Sequence, residues 1–184
     1  MAVHPVSRGG GPSAHSSQPK PLPDRSPRAP STRVSVIGGS VIDDREAETA
    51  AELGRLLARR GHTVVCGGYG GVMEAACRGA SAAGGHTIGI LSSDDPDDAN
   101  PYVDEPIATG LGHARNVLVV MNGEAVVAVD GGSGTLSELG YAGVYDRPTA
   151  GIGTHDADHI EPVDTADAAV RYVEDAVGVE PDRE

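Results

Sequence analysis

The chain has 184 residues and a formal net charge of −13 at pH 7, and it contains no Phe, no Trp and five Tyr. This length suits one domain with a substantial core and is short for two. The negative charge argues against a nucleic-acid partner, because a phosphate backbone requires a basic surface. Without Phe and Trp, the core has to consist of Val, Ile, Leu and Ala, which suits a parallel sheet covered by Ala-rich helices.

Composition along the chain sets the expected limits of that domain. Residues 1–31 are rich in Pro, Ser, Gly and Arg. Such a segment cannot bury enough apolar surface to offset its ordering entropy, so we predict a disordered N-terminal tail. We predict one ordered domain over residues 32–178, where apolar residues recur periodically, and a flexible acidic end over residues 179–184.

Three features indicate the expected environment of the protein. Cys66 and Cys77 are the only cysteines and form no metal or redox motif, so we interpret both as small buried residues in a reducing compartment. No apolar run reaches transmembrane length and the N-terminus has no apolar signal core, which predicts a cytoplasmic protein without membrane contact. Lys20 is the only lysine. An acidic, lysine-poor surface is expected of a protein kept soluble at high salt, so we hypothesise a halophilic source.

Apolar periodicity, taken in chain order, predicts strands that alternate with helices. The predicted strands cover residues 34–37, 62–66, 87–91, 125–129 and 148–152, with a short extended piece near 162–163. The predicted helices cover residues 44–60, 72–83, 112–121, 135–145 and 165–177, and the Asp-rich stretch 94–98 is predicted to be a loop. This order predicts a single α/β domain of the doubly wound, Rossmann-like type, with a mostly parallel sheet and helices on both faces. Strand 125–129 is apolar on both faces and is therefore predicted to be central.

The loop after this central strand carries the strongest candidate for a binding site. Its glycines allow a ligand to approach the backbone, and the start of the following helix adds free N–H groups and the positive end of a dipole. The alternative is a tight strand-to-helix turn with no ligand. The predicted phosphate cradle consists of Gly131, Gly132, Ser133, Gly134 and Thr135.

Arg115 and Glu138 are the predicted charged groups of this site. Arg115 lies among glycines in a protein with few cations, which fits a phosphate clamp, and a structural salt bridge is the alternative. Glu138 lies one helical turn beyond Gly134, so its carboxylate can reach the same mouth and orient a water or meet developing positive charge. The alternative is a Glu that complements the helix dipole. His113 is interpreted as a surface or capping residue.

Two further glycine turns are predicted at the same edge of the sheet. The first predicted strand ends at Gly39 and Ser40, and the second is followed by another glycine cluster. Three glycine turns at one edge favour an extended ligand, such as a nucleotide, over a bare anion. The residues of the second cluster that we expect to line the pocket are Gly68, Gly70 and Gly71.

Several catalytic and metal-binding motifs do not fit this sequence. The nucleotide-kinase loop requires a Lys after its last glycine, and the nicotinamide fingerprint is missing after the first strand. Pyridoxal phosphate chemistry requires a lysine, and Lys20 lies in the predicted tail, so the chain is not a lysine decarboxylase. The His-Asp-Ala-Asp-His run at 155–159 is interpreted as a polar loop, and the acidic run at 94–98 as solvated charge. We therefore predict no metal site and no required cofactor.

The glycine-rich segments occur together in one known superfamily. The runs GGYGGVMEA at 67–75, GHARN at 112–116 and GGSGTLSE at 131–138 resemble, in this order, the motifs of the LONELY GUY-like superfamily. The resemblance covers about residues 33–177 and is nearest to the branch that includes molybdenum cofactor carrier proteins. It implies a nucleotide-binding or carrier-like protein whose bound ligand is a nucleotide or the molybdenum cofactor.

The best-known branch of that superfamily consists of phosphoribohydrolases, which cleave a nucleoside 5′-monophosphate into base and ribose 5-phosphate. Their motifs are Pro-Gly-Gly-x-Gly-Thr-x-Glu-Glu and His-x-Arg-Lys, so the resemblance implies catalytic roles for Glu138 and Arg115. This chain differs at three positions. Asp130 replaces the Pro, Ser137 replaces the first Glu, and Asn116 replaces the Lys.

Two functions therefore stay open at this point. One is binding of a small phosphorylated ligand on residues 131–135 without turnover. The other is hydrolysis of an N-glycosidic bond, in which Glu138 stabilises the oxocarbenium-like ribose or positions the attacking water. A structural module with no ligand is a third alternative. The resemblance also implies a homo-oligomer, a dimer or a tetramer, because relatives assemble in this way.

Overall fold

Seven strands and five α-helices lie along residues 31–178, the part of the chain that the computed structural model describes. The predicted tail over residues 1–31, apart from Ser31, and the predicted acidic end over residues 179–184 lie outside the described residues. The strands are β1 (Arg33–Gly38), β2 (Thr63–Cys66), β3 (His86–Leu91), β4 (Glu105–Ala108), β5 (Ala125–Val129), β6 (Thr149–Ile152) and β7 (Ile160–Pro162). The helices are α1 (Asp44–Arg59), α2 (Val72–Ala82), α3 (Asn116–Asn122), α4 (Ser133–Val144) and α5 (Ala166–Val177).

All strand pairs run parallel, in the order β4-β3-β2-β1-β5-β6-β7. The chain moves from β1 outward to β4, then returns to the other side of β1 with β5. The strand order therefore reverses between β1 and β5, and this is the position where open α/β sheets bind ligands, beyond the carboxyl ends of the strands. The predicted doubly wound, Rossmann-like fold is confirmed, and the sheet is parallel throughout the described residues.

The two faces of the sheet carry separate apolar layers. Helices α1, α2 and α5 cover one face, through buried residues such as Leu53, Ala76 and Val170. Helices α3 and α4 cover the other face, through buried residues such as Val119 and Leu139. Every residue of β5 is buried, as expected for a strand covered on both faces. None of the helices between residues 31 and 178 has the length and apolarity needed to cross a bilayer.

The N-termini of the longer helices differ in how they are capped. At the start of α1, the side chain of Asp43 accepts a hydrogen bond from the Glu46 amide. The side chain of Glu46 in turn accepts a hydrogen bond from the Asp43 amide, so the capping box is complete. Thr165 caps α5 by accepting a hydrogen bond from the Ala168 amide. Helix α4 instead begins after Gly132, which has no side chain to cap it. The first-turn amides of α4 are consequently left available to another acceptor.

The structure differs from the sequence-based expectations in three elements. Strand β4 was not expected, and it lies at the edge of the sheet as an exposed Glu-Pro-Ile-Ala segment. Within the expected loop 94–98, Pro96–Asp98 form a single 3-10 turn that the side chain of Asp95 caps. Helix α4 begins at Ser133, two residues before the predicted position, so Ser133 and Gly134 belong to its first turn.

Candidate functional site

The candidate site lies where β1 and β5 end next to each other. The chain leaves β1 through Gly39, and an added Cβ on this residue would lie 2.6 Å from a carboxylate oxygen of Asp130. A larger residue at this position would therefore displace the Asp130 side chain. Asp130 itself has φ of 51°, in the left-handed region. Proline is restricted to φ of about −65°, so the Pro of the phosphoribohydrolase motif does not fit this backbone at Asp130.

The last three residues of the predicted phosphate cradle belong to the first turn of α4. Gly132 precedes the helix, its carbonyl accepts the first helical bond from the Leu136 amide at 2.9 Å, and no side chain of the described residues caps the turn. Ser133 and Gly134 are exposed, and Thr135 is buried beneath them. Uncapped amides at the positive end of a helix of 12 residues attract an anion.

The loop after β6 holds this cradle in place, and sequence reasoning did not assign it that role. The Thr154 hydroxyl donates to the Asp130 carbonyl at 2.6 Å, and His155 Nε2 lies 3.1 Å from the Gly132 carbonyl. The Asp130 amide donates to the Ile152 carbonyl at 3.0 Å. These bonds fix the backbone on both sides of Gly131.

The two histidines of the run 155–159 contact the backbone at different places. His155 faces Gly132, whereas His159 Nε2 lies 2.9 Å from the Leu139 carbonyl, farther along α4. No three His, Cys, Asp or Glu side chains of residues 31–178 are grouped in a way that could hold a metal ion.

Arg115 is almost fully buried beside the cradle, at the end of a 3-10 turn that leads into α3. Its residue exposure is 7%, and its Nη1 atom lies 4.0 Å from Oε1 of Glu138. Its guanidinium carbon lies 5.7 Å from the centre of the Tyr69 ring. An added Cβ at Gly67 would lie 2.5 Å from Nη1, so Gly67 leaves the space in which the guanidinium sits. The Nε atom of Arg115 is buried without a partner among the described residues.

Glu138 contributes a buried carboxyl group to the same space, from the second turn of α4. Only 10% of its side chain is exposed. Burial raises the pKa of Glu138 from 4.5 to about 7, and the nearby Arg115 guanidinium opposes this rise. A carboxyl group with a pKa near neutrality can accept and return a proton at physiological pH, as acid–base chemistry requires.

Tyr69 connects the second glycine turn to the end of β3. Its hydroxyl oxygen accepts hydrogen bonds from the amides of Ser92 and Ser93, at 2.9 and 3.0 Å. Burial raises the pKa of Tyr69, and the hydrogen bonds from the two serines lower it by more, so the net change is downward. The ring is thereby fixed beneath Arg115.

Two positions at which the chain differs from the phosphoribohydrolase motifs are in direct contact. Asn116 Nδ2 donates to the Ser137 hydroxyl at 2.8 Å, and that hydroxyl donates to the Gly134 carbonyl at 2.7 Å. The pair therefore links the start of α3 to the first turn of α4. Neutral side chains occupy both positions.

The remaining predicted residues are distributed unevenly around the site. His113 is exposed, as expected for a surface residue. Gly71 packs against the backbone of Gly39 and Ser40, so these three residues support each other where β1 ends. Gly68 is buried, and its carbonyl accepts a hydrogen bond from the Asn100 amide, so it packs inside the fold.

Two cavities open near the cradle, one beside α1 and one along the segment from β6 to Asp164. One has a volume of about 260 Å³ and is lined by residues that include Arg45, Thr49 and Asp130. The other, of about 560 Å³, is lined by residues that include Thr154 and His155. Both linings reach the loops that hold the cradle, but Gly131–Thr135 belong to neither.

Fold and site together define a class of protein. This is a doubly wound α/β domain with glycine-rich turns at the point where the strand order reverses, the architecture of the LONELY GUY-like superfamily. The chain belongs to the SLOG cluster4 family, which residues 31–178 match. The resemblance that the motifs predicted is confirmed.

Similar sequences include proteins with and without a named activity. The chain is 42% identical over 110 residues to an uncharacterized protein of Archaeoglobus fulgidus, which covers 60% of this chain and 72% of that protein. It is 36% identical over 110 residues to the cytokinin riboside 5′-monophosphate phosphoribohydrolase of Mycobacterium tuberculosis, which covers 55% of this chain and 59% of the enzyme. The match therefore spans less than two thirds of the enzyme's length.

The similar solved structures include proteins that bind or carry the molybdenum cofactor. The molybdenum cofactor binding protein of Rippkaea orientalis superposes with a TM-score of 0.76 and 29% identity, over 80% of this chain and 98% of that protein. The molybdenum cofactor carrier protein of Chlamydomonas reinhardtii superposes with a TM-score of 0.74 and 30% identity, over 80% and 99% of the two chains. The structural likeness covers nearly the whole of these two neighbours and 80% of this chain.

Proposed function

We propose that residues 32–178 form a domain that binds a small phosphorylated ligand of the nucleotide type, with its phosphate on the first turn of α4. The observation that carries the proposal is the uncapped start of this helix beside a buried guanidinium, that of Arg115, whose Nε atom has no partner among the described residues. A buried polar group without a partner is costly, and a ligand that accepts a hydrogen bond removes this cost.

The amides and the guanidinium supply the attraction that an anion needs in this acidic protein. The net charge of −13 repels a phosphate at long range. Binding therefore depends on short-range donors, namely the helix amides, the Ser133 hydroxyl and the Arg115 fork. Screening of the long-range repulsion by salt strengthens such binding, so we expect the highest affinity at high KCl concentration, in keeping with the halophilic source that we hypothesise.

Two ligand classes suit this donor set. One is a nucleoside 5′-monophosphate, the substrate type named for the phosphoribohydrolase relative. The other is the phosphate-bearing molybdenum cofactor, named for the structural relatives, which would be cargo in a carrier. In either case the amides of α4 and Arg115 would hold the phosphate. Binding without turnover is the function that we favour, because Glu138 is the one carboxylate placed beside Arg115 among the described residues.

Hydrolysis of the N-glycosidic bond is the second candidate, and the buried Glu138 carboxyl favours it. With its pKa near 7, this group could orient the attacking water and take its proton as the bond to the base breaks. AMP would then yield adenine and ribose 5-phosphate, and Glu138→Gln would abolish base release while AMP still binds. Absence of base release from every nucleoside monophosphate at high protein concentration would leave only the binding function.

One substitution tests the phosphate site without disturbing the fold. An added Cβ at Gly134 meets no atom within 4 Å, and Asp is favourable in the first turn of a helix. Gly134→Asp would therefore fold normally but repel phosphate, and we expect loss of AMP binding by calorimetry in high KCl. Gly134→Asn is the neutral control at the same position. Ser81→Asp is the control for added charge, because Ser81 is exposed near the end of α2 and belongs to neither the cradle nor the outer face of α4. Unchanged AMP affinity in Gly134→Asp would refute the phosphate site.

We also infer a homo-oligomer that forms through the outer face of α4. Leu136, Tyr141, Val144 and Tyr145 are exposed there or just beyond its end, and the helix's one charged side chain, Glu138, is buried. An uncharged face is the surface on which two copies of an acidic chain repel each other least. Val144→Asp should shift the mass measured by light scattering towards the monomer, and the control Glu48→Gln should not. An unchanged mass in Val144→Asp, or a wild-type monomer, would contradict this interface.

A further inference from the structure

The two cysteines of the chain meet beneath the candidate site. Cys66 is the last residue of β2 and Cys77 lies in the middle of α2, and both are fully buried. Their Sγ atoms are 3.5 Å apart. The segment between them contains the glycine turn 67–71, which carries the residues against which Arg115 packs.

We propose that Cys66 and Cys77 form a redox-active dithiol that a hydroperoxide converts into an intramolecular disulfide, thereby tightening the glycine turn that holds Arg115. A disulfide bond is about 2.05 Å long, so the sulfurs have to approach by roughly 1.5 Å. This approach requires rotation of the two side chains or a shift of the backbone that carries them. The chain has no third cysteine, so each thiol has one intramolecular partner.

The surroundings of the two sulfurs give them different roles. Cys66 Sγ accepts a hydrogen bond from the Gly68 amide at 3.3 Å. The hydrogen bond with Cys77 lowers the pKa of Cys66 against the effect of burial, and the Gly68 amide and the charge of Arg115 lower it further. The same hydrogen bond and burial raise the pKa of Cys77. The Gly68 amide stabilises negative charge on the sulfur of Cys66, so Cys66 is the thiolate that attacks and Cys77 is the thiol that resolves the product.

The reaction balances with one peroxide per protein. The Cys66 thiolate attacks one peroxide oxygen, the O–O bond breaks, and the other oxygen leaves and takes up a proton, as water when the oxidant is hydrogen peroxide. Cys66 is then a sulfenic acid. The sulfur of Cys77 attacks the sulfur of Cys66, the S–O bond breaks, and hydroxide leaves and combines with the thiol proton as a second water. The two sulfurs lose two electrons in total, and the peroxide gains them.

Oxidation would change the position of the Arg115 guanidinium through the backbone of Gly67, the residue that follows Cys66. The guanidinium is packed so closely on Gly67 that even a methyl group there would overlap Nη1. A shift of Cys66 towards Cys77 moves Gly67 with it and changes the space that Arg115 occupies. Disulfide formation is independent of the proposed ligand, whereas its effect on binding rests on the proposed function.

The disulfide is tested by mass spectrometry on the full chain. Reduced protein, unfolded in N-ethylmaleimide, should carry two adducts. Protein treated with hydrogen peroxide first should carry none, with an intact mass lower by two hydrogen atoms. In Cys77→Ala that is treated with hydrogen peroxide and then unfolded in dimedone, the reagent should trap a sulfenic acid on Cys66. In Cys66→Ala treated in the same way, Cys77 should stay a thiol. Two alkylatable thiols in oxidised wild-type protein, or disulfides between chains only, would overturn the proposal whether or not either variant folds.

A second measurement tests the link to the site. Oxidised and reduced wild-type protein are titrated with AMP, and we expect an affinity at least about tenfold lower in the oxidised form, restored by dithiothreitol. The variant with both cysteines replaced by Ala is the control, and its AMP affinity should be the same before and after peroxide treatment. If the disulfide forms while AMP affinity stays unchanged, the coupling to Arg115 is wrong. If reduced protein binds no phosphate compound, the proposed function fails while the mass result still decides the disulfide.

Discussion

Replacing Glu138 by Gln should stabilise the protein at neutral pH, because the wild-type carboxyl group is held in an unfavourable environment. Gln is neutral and nearly identical in shape, so the change removes the charge and little else. Only 10% of the Glu138 side chain is exposed, and its partner Arg115 is 4.0 Å away, a distance at which the ion pair does not offset burial.

The size and sign of the effect follow from the change in pKa. Raising the pKa of Glu138 from 4.5 in the unfolded chain to about 7 in the fold corresponds to about 3 kcal/mol, at about 1.4 kcal/mol per pKa unit. Below pH 4.5 the group is protonated in both states, so it has no effect. Between 4.5 and 7 only the folded form keeps the proton, so stability falls as pH rises. Above pH 7 the whole penalty is present.

Denaturant unfolding of wild type and Glu138→Gln from pH 4.5 to 8.5 measures this difference. We expect nearly equal free energies of unfolding at the acid end, and a Gln variant more stable by about 3 kcal/mol at pH 8. Glu48→Gln serves as the control, because Glu48 is exposed on α1. A difference that does not change with pH, or a Gln variant less stable at pH 8, would refute the reasoning about burial.

Three further substitutions test how the site and the fold are supported. Gly67→Ala puts a Cβ 2.5 Å from Nη1 of Arg115, so AMP affinity measured by calorimetry should fall by about tenfold or more; unchanged affinity would show that the guanidinium is not needed in this place. Thr154→Val removes the hydrogen bond to the Asp130 carbonyl and should lower the free energy of unfolding by about 1 kcal/mol, whereas Thr154→Ser should not. Glu174→Ala removes the carboxylate that bridges a buried imidazole and a guanidinium and should lower it by about 3 kcal/mol; a loss below 1 kcal/mol would contradict this bridging role.

The elements that follow from apolar periodicity were predictable, and those that depend on long-range pairing were not. Strand β5 is five apolar residues in a row, and the sequence alone indicates its central place. Strand β4 has the opposite character, because it is exposed, short and contains Pro106, which a central strand would exclude. Its pairing with β3 exists only because the chain from β3 returns along the edge of the sheet.

The same limit applies to the candidate site. The glycines and Arg115 were predicted as site residues because they form local motifs. The contact of His155 with Gly132 spans 23 residues, and the contact of Cys66 with Cys77 joins a strand to a helix. Neither contact can be inferred from the spacing of the residues in the sequence. Helix α4 starts two residues earlier than predicted. The low helix propensity of Gly134 argues against this start, but the tertiary hydrogen bonds from the loop after β6 fix the turn there.

Because Asn116 and Ser137 are in contact, their two differences from the phosphoribohydrolase motifs have to be considered together. A Lys and a Glu at these positions would carry opposite charges across the same gap, and here one hydrogen bond of 2.8 Å fills it. Opposite charges lost together leave the net charge beside the cradle unchanged, so under the proposed function the site would still attract phosphate. What is lost is a second carboxylate on α4, and this would leave Glu138 alone in the proposed hydrolysis, a reaction that glycosidases usually divide between two groups. The two differences therefore act as one change, which favours the proposed binding function over the proposed hydrolysis.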